Sequence, residues 1–197
     1  MIFYLMGKSA SGKDTLFRRL LNDQSLSLTP IITYTTRPMR KGEQDGREYF
    51  FRNAAFLEEQ QNAGHVLESR TYETVFGPWT YFTLYDAQWT NKQANFLTIG
   101  TLSAYETLQA YQAELVPIRP IYIEADNGTR LLRAIAREQT EATPNYEEIC
   151  RRFLTDESDF CSERLQKAGV KTVFSNNDLD VCLAQIKQYI IQQTHGG

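Results

Sequence analysis

The run Gly7-Lys8-Ser9-Ala10-Ser11-Gly12-Lys13, set directly behind the apolar segment Ile2-Phe3-Tyr4-Leu5-Met6, leaves this chain few folds to choose from. It fits the spacing G-x-x-x-x-G-K, with a strand-like segment before it and a helix-like segment after it, the context this motif needs. Glycines let the backbone curl until several N–H groups point at one anion. The start of the next helix adds partial positive charge. Lys13 adds a full one, suited to the β- and γ-phosphates of a nucleotide. Gly7, Ala10, Ser11, Gly12, Lys13, Asp14 and Thr15 are therefore the candidate residues of a triphosphate site. Asp14 is off-pattern, because a Ser or Thr normally follows the lysine. It reads equally well as a Mg²⁺ ligand or as an acidic first-turn residue favoured by the helix dipole.

Beyond the loop, strands and helices alternate, which predicts an α/β fold with a mainly parallel sheet. Strands are expected at Ile2–Met6, Tyr49–Arg52, Val66–Arg70, Tyr72–Phe76, Asn95–Ile99, Pro120–Ile123 and Val170–Phe174, and Pro30–Tyr34 is a short extended segment. Helices are expected over Asp14–Leu21, Asn53–Ala63, Leu84–Ala94, Leu102–Leu115, Thr129–Glu138, Asn145–Ala168 and Leu179–Gln193. Asn53 and Asp126 are candidate caps, and Asn145 with Glu148 resembles a capping box.

With 197 residues, one compact domain is expected. A net charge of −3 argues against a nucleic-acid-coating protein, so anion binding must come from local basic clusters. The first apolar run is too short to span a membrane, and no basic leader precedes it. Cys150, Cys161 and Cys182 match no metal signature and read as reduced thiols, so a cytoplasmic protein is expected. His65 and His195 are expected at the surface.

A second basic cluster lies in Thr35-Thr36-Arg37-Pro38-Met39-Arg40-Lys41-Gly42-Glu43-Gln44-Asp45-Gly46-Arg47-Glu48-Tyr49-Phe50-Phe51. Two arginines three apart can fork onto one phosphate, and Tyr49 can add a hydroxyl. From composition alone, a solvated basic loop explains the segment as well.

Together, the phosphate loop, the block T-T-R-x-x-R-x-G-E-x-x-G-x-x-Y-x-F and a glutamate about twenty residues later resemble the guanylate kinase family, over essentially the whole chain. The resemblance implies a three-layer α/β/α P-loop kinase with a five-stranded parallel core, a small GMP-binding α+β insert and a lid. Those parts would be a core at about 1–33, 81–136 and 149–197, an acceptor region at about 34–80 and a lid at about 137–148. It implies Mg²⁺-dependent phosphoryl transfer from ATP to GMP or dGMP, by a monomer or homodimer.

Carried over by motif, Arg37, Arg40 and Tyr49 resemble the residues on the GMP phosphate, and Glu68 resembles the reader of guanine N1 and N2. Arg133, Arg137 and Arg152 resemble those that steady the transferring phosphoryl group, and Asn176 one near the adenine of ATP. The chain also departs from the family. Tyr34 stands where a serine is usual, and Phe76-Gly77-Pro78 replaces Tyr-Gly-Ser. Leu97-Thr98-Ile99-Gly100 lacks the acidic pair of D-x-D. A weaker or less selective enzyme is expected for that reason. Two rivals are ribose 1,5-bisphosphate phosphokinases, which share Gly-Lys-Asp, and a catalytically inactive guanylate-kinase-like binding module.

Overall fold

The computed structural model describes residues 1–40, 42–74, 77–89, 95–112, 117–141 and 144–195. In chain order it begins with β1 (Ile2–Gly7), α1 (Lys13–Leu21), β2 (Leu28–Pro30), β3 (Tyr34–Thr35) and β4 (Phe50–Phe51). Next come α2 (Ala54–Asn62), β5 (Val66–Thr74), β6 (Gly77–Leu84), β7 (Asn95–Gly100) and α3 (Leu102–Gln112). The last part holds β8 (Ile118–Glu124), α4 (Asn127–Glu138), α5 (Tyr146–Asp159), α6 (Ser162–Lys167), β9 (Val173–Ser175) and α7 (Leu179–His195).

Five strands form a parallel sheet in the order β2-β7-β1-β8-β9. Every residue of β1 is buried, as expected for a central strand covered on both faces. Its side chains alternate. Phe3 and Leu5 pack with Leu16 and Leu20 of α1 and with Cys182, Ile186 and Ile190 of α7. Ile2, Tyr4 and Met6 pack with Leu102, Tyr105 and Leu108 of α3 and with Phe160. Each large side chain withdrawn from water here contributes roughly 1.5–3 kcal/mol. The expected three-layer α/β/α arrangement with a five-stranded parallel core is therefore observed. The strand order reverses at β1, and a crevice opens beyond the carboxyl ends of such strands.

A second sheet of four strands, ordered β4-β3-β6-β5, has its own small core of Tyr34, Leu57, Phe82 and Leu84. Asn53 Oδ1 accepts from the Phe56 N–H at 2.9 Å and starts α2. Gly64 follows that helix at φ 72°, a conformation that favours glycine.

Three sequence expectations are corrected. The segments 66–70 and 72–74 are not two strands but one long strand, β5, which pairs antiparallel with β6, while residues 75 and 76 lie outside the described residues. The helix expected over 84–94 does not begin at Leu84, which closes β6; a short turn, Ala87–Trp89, follows, and residues 90–94 lie outside the described residues. Alternating Trp79-Thr80-Tyr81-Phe82-Thr83 is a β-branched and aromatic run that suits a pleated sheet. The long helix expected to reach Ala168 breaks at Phe160, whose buried ring stacks on Tyr122 at 5.6 Å. Asn145 does cap α5, accepting from the Glu148 N–H at 3.0 Å. The reciprocal bond of a capping box is absent: Glu138, not Glu148, accepts the Asn145 N–H.

One close approach links the core to the crevice. A Cβ on Gly100 would stand 2.0 Å from Tyr4 Oη, and that hydroxyl donates to the Thr101 carbonyl at 3.1 Å. The phenol thus fills the space a side chain at position 100 would need. Gly100→Ala is expected to cost about 1–3 kcal/mol through overpacking. In Tyr4→Leu, where the phenol is gone, the Gly100→Ala cost should largely vanish; urea denaturation of the two pairs of proteins checks this, and equal costs in both backgrounds would refute it.

Candidate active site

The chain enters the phosphate loop from β1 and leaves it into α1. Gly12, at φ 88°, is the cap residue of α1 and accepts from the N–H groups of Thr15 and Leu16. A side chain there would meet Asn176 Nδ2 at 2.2 Å, so glycine is required twice over, by conformation and by space. Lys13 is half-buried at the first turn, and its Nζ lies 3.8 Å from the exposed Asp14 carboxylate.

Four groups fasten the loop from behind. Asn176 Nδ2 donates to the Ser11 carbonyl at 2.7 Å. Arg130, 1% exposed, donates from Nε to the Ser9 carbonyl and pairs with Asp156 and Glu157 of α5. Asp156 accepts the Ser9 N–H at 2.6 Å, and Glu157 pairs with Lys8 at 2.7 Å. At the loop, three buried polar atoms have no protein partner among the described residues: Ser11 Oγ, Arg133 Nη1 and Asn176 Oδ1. The other terminal nitrogen of Arg133 donates to the Asn176 carbonyl at 3.2 Å. A buried guanidinium nitrogen left open beside Gly12 is the feature an incoming phosphate would satisfy. A cavity of about 400 Å³ adjoins the loop, lined in part by Lys8, Glu124, Asn127, Ser175 and Asn177.

Opposite stands the second sheet. Arg37, 4% exposed, makes a two-pronged ion pair with Glu43 at 2.8 and 2.6 Å and packs over the rings of Tyr49 and Phe51. The Arg37 guanidinium pulls the Glu43 carboxyl down to about 2. Glu43 also accepts the Arg40 N–H at 2.7 Å, which fixes the loop while leaving the Arg40 side chain exposed. Burial pushes the Tyr49 phenol up to about 12, helped by neighbouring Tyr81 and by the Asp14 carboxylate. Asp14 belongs to the phosphate loop, so its charge reaches the second sheet at Tyr49.

Register assigns the faces of this sheet. Thr35 pairs with Tyr81, Arg70 with Tyr81 and Glu68 with Thr83, so these side chains share one face. The Glu68 carboxylate accepts from Thr83 Oγ1 at 2.7 Å. Burial pushes its carboxyl up, while Thr83 and Arg70 act against that shift. A cavity of about 430 Å³ opens here between β5 and α3.

A sequence model of the family "Guanylate kinase" matches residues 2–193. The chain belongs to the guanylate kinase family. It is 26% identical to a guanylate kinase of Novosphingobium aromaticivorans over 96% of this chain and 80% of that protein. It is 28% identical to one of Corynebacterium efficiens over 95% of this chain and 93% of the relative. The crystal structure of guanylate kinase from Anaplasma phagocytophilum shares the fold, with a TM-score of 0.63 at 19% identity, covering 99% of this chain and 86% of that one. Membership makes the protein a phosphotransferase of the nucleoside monophosphate kinase type.

Against the guanylate kinase pattern, the residues singled out in the sequence fall into three groups. Gly7, Ala10, Ser11, Gly12, Lys13, Asp14 and Thr15 form the loop, with an Arg133 nitrogen beside Gly12. Arg37, Arg40, Tyr49 and Glu68 belong to the opposing sheet and its loop. The rest sit otherwise. Arg137 is exposed at the end of α4, and Arg152 is exposed and held by Glu148 at 2.6 Å on the same helix. Tyr34 lies on the sheet face away from Glu68, stacked on Phe82 and tilted against Phe50, its hydroxyl 2.5 Å from Asp86. The guanine contact expected of Tyr34 is therefore not available to that side chain as it stands. Asn176 turns its side chain to the loop backbone, while its neighbours Ser175 and Asn177 line the adjoining cavity. Phe76 lies outside the described residues.

Sequence reading missed Arg130, Asp156, Glu157, Arg70 and Tyr81. Arg130, like any arginine of an amphipathic helix, looks solvated until its two carboxylate partners arrive from α5. Tyr81 was detectable from the alternation of β6. For a metal, no cluster of three His, Cys, Asp or Glu side chains exists among the described residues. Asp14 and Thr15 are the oxygen donors beside Lys13, which fits a Mg²⁺ that brings most of its ligands as phosphate oxygens and water. Among the described residues, no helix is long and apolar enough to cross a membrane.

Proposed function

We propose that this guanylate kinase family member transfers the γ-phosphoryl group of ATP to GMP or dGMP. What supports the reading is the pairing of Lys13 and the loop amides with a second-sheet cluster of Arg37, Arg40, Tyr49 and Glu68, whose Tyr49 feels the Asp14 charge. The triphosphate lies in the loop, held by backbone N–H groups, Lys13 and the open Arg133 nitrogen. Asp14 and Thr15 would hold, on the protein side, a Mg²⁺ arriving with the triphosphate, which would supply charge neutralisation.

The acceptor's phosphate lies at Arg40 and Tyr49, with Arg37 held behind them by Glu43. Its base lies at Glu68, whose carboxylate accepts the N1 and N2 hydrogens. Segment 137–148 acts as a lid that brings Arg137 over the crevice, with Arg152 released from Glu148. Closure excludes water from the phosphoryl group in flight. Positioning and charge do most of the catalysis, and no protein nucleophile takes part.

An ADP-coupled assay with GMP, dGMP, AMP and ribose 1,5-bisphosphate tests this. Turnover of GMP and dGMP well above AMP supports the reading. Preference for ribose 1,5-bisphosphate would replace it, and no turnover of any acceptor would leave a binding module. Within the main reading, Arg40→Ala should raise the acceptor KM by about tenfold or more, the worth of a charge-assisted bond of about 1.5–3 kcal/mol. The KM for ATP should hold, and an unchanged acceptor KM would place Arg40 outside the site.

A further inference from the structure

We propose that Arg70 is a second base-reading residue, donating to the 6-carbonyl oxygen of the acceptor's purine while Glu68 accepts from N1 and N2. This inference rests on the reading of the acceptor site as a guanine site.

Glu68 and Arg70 lie two residues apart on β5, so both project from the same face. Both line the 430 Å³ cavity together with Thr101, Ser103 and Thr107 from the β7–α3 side. The cavity wall therefore carries an acceptor and a five-donor guanidinium side by side. Guanine presents the matching edge: N–H donors at N1 and N2, a carbonyl acceptor at C6. Adenine presents the reverse, an acceptor at N1 and a donor at N6. A pair of this kind prefers one edge and is left with unpaired buried groups by the other, the condition for strong discrimination.

Arg70 is free to turn toward a ligand because its present partner does not depend on it. The guanidinium rests on the Tyr72 ring at 5.1 Å and reaches Asp159 at a long 3.3 Å. Asp159 is also paired with Arg164 at 3.1 Å, and Arg164 is further held by Glu106 and Ser103. When Arg70 leaves, Asp159 keeps a cation. The Arg70 charge is already felt by the Glu68 carboxyl, which it holds down against burial. The two groups are thus near enough to serve one ring.

The test is acceptor selectivity. Wild type and Arg70→Met are assayed with GMP, IMP, AMP and 2,6-diaminopurine riboside monophosphate. IMP keeps the 6-carbonyl without the 2-amino group, and the diaminopurine reverses that. Arg70→Met is expected to lose about tenfold or more in kcat/KM for GMP and IMP, the usual worth of a hydrogen bond to a charged group. The diaminopurine nucleotide should change little, so the 6-oxo preference narrows. Arg70→Lys should recover part of it. The ATP KM and the melting temperature report on fold and donor site.

If Arg70→Met lowers all four acceptors equally, or none, the inference fails while the guanylate kinase reading stands. If wild type turns over none of the purine nucleotides, the reading of the site fails first.

Discussion

Lys13→Ala is expected to abolish measurable turnover. The ammonium is the full positive charge in a loop whose other contributions are amide dipoles, and it is half-buried, where a charge interacts more strongly than in open water. Removing one preorganised donor from such a site costs about 10²–10³-fold in kcat, and a full charge is worth more than a neutral donor. The fold should survive. Lys13 opens α1, where alanine is the better helix former, and its contact with Asp14 at 3.8 Å is loose and solvent-facing. A melting temperature near wild type beside lost ADP formation is the expected pair of results. A kcat retained within tenfold would remove Lys13 from the chemistry, and with it the central assumption about the loop.

The second large effect is expected at Glu68. Glu68→Gln keeps the shape and the bond from Thr83, but it substitutes an amide for a carboxylate that must accept two hydrogens from one base. One face of that amide is a donor and meets the N–H groups of guanine head-on. A loss of about 10²–10³-fold in kcat/KM for GMP is expected, since a site built to hydrogen-bond its ligand suffers most when a partner is inverted. The ATP KM should change little, and equal damage to both substrates would mean that Glu68 supports the fold rather than reads the base.

The same residue sets a pH dependence. Burial raises the Glu68 carboxyl above the ordinary glutamate range. The ionised form is the one that accepts both hydrogens. GMP affinity should therefore decline on the acid side at a higher pH than an unperturbed glutamate would give, and Glu68→Gln should lack that limb.

Much of this was legible in the sequence because the physics is local. The phosphate loop needs glycines at fixed intervals between an apolar strand and a helix, and both flanks carry their own signals. Asn53, Asp126 and Asn145 cap helices through bonds to residues three further on. What could not be read depends on distant partners. Arg130 is buried only because Asp156 and Glu157 come to it from another helix. The break at Phe160 exists because Tyr122 offers a ring to stack on. Tyr34 looked like a base contact from its place in the motif, but pleating alone decides that it points to Phe82 and Asp86 instead.

The tie between Arg130, α5 and Ser9 has a further consequence for how the enzyme would respond to substitution. Ser9 is gripped at both its amide and its carbonyl, and Lys8 at its side chain, by groups rooted in helices that flank residues 139–145. Any hinge there swings from a post bolted to the triphosphate cradle. Changes placed well away from either nucleotide, on the buried side of α5, should be heard as weakened ATP affinity, whereas changes on its solvent side, Arg152 and its partner Glu148 excepted, should be silent.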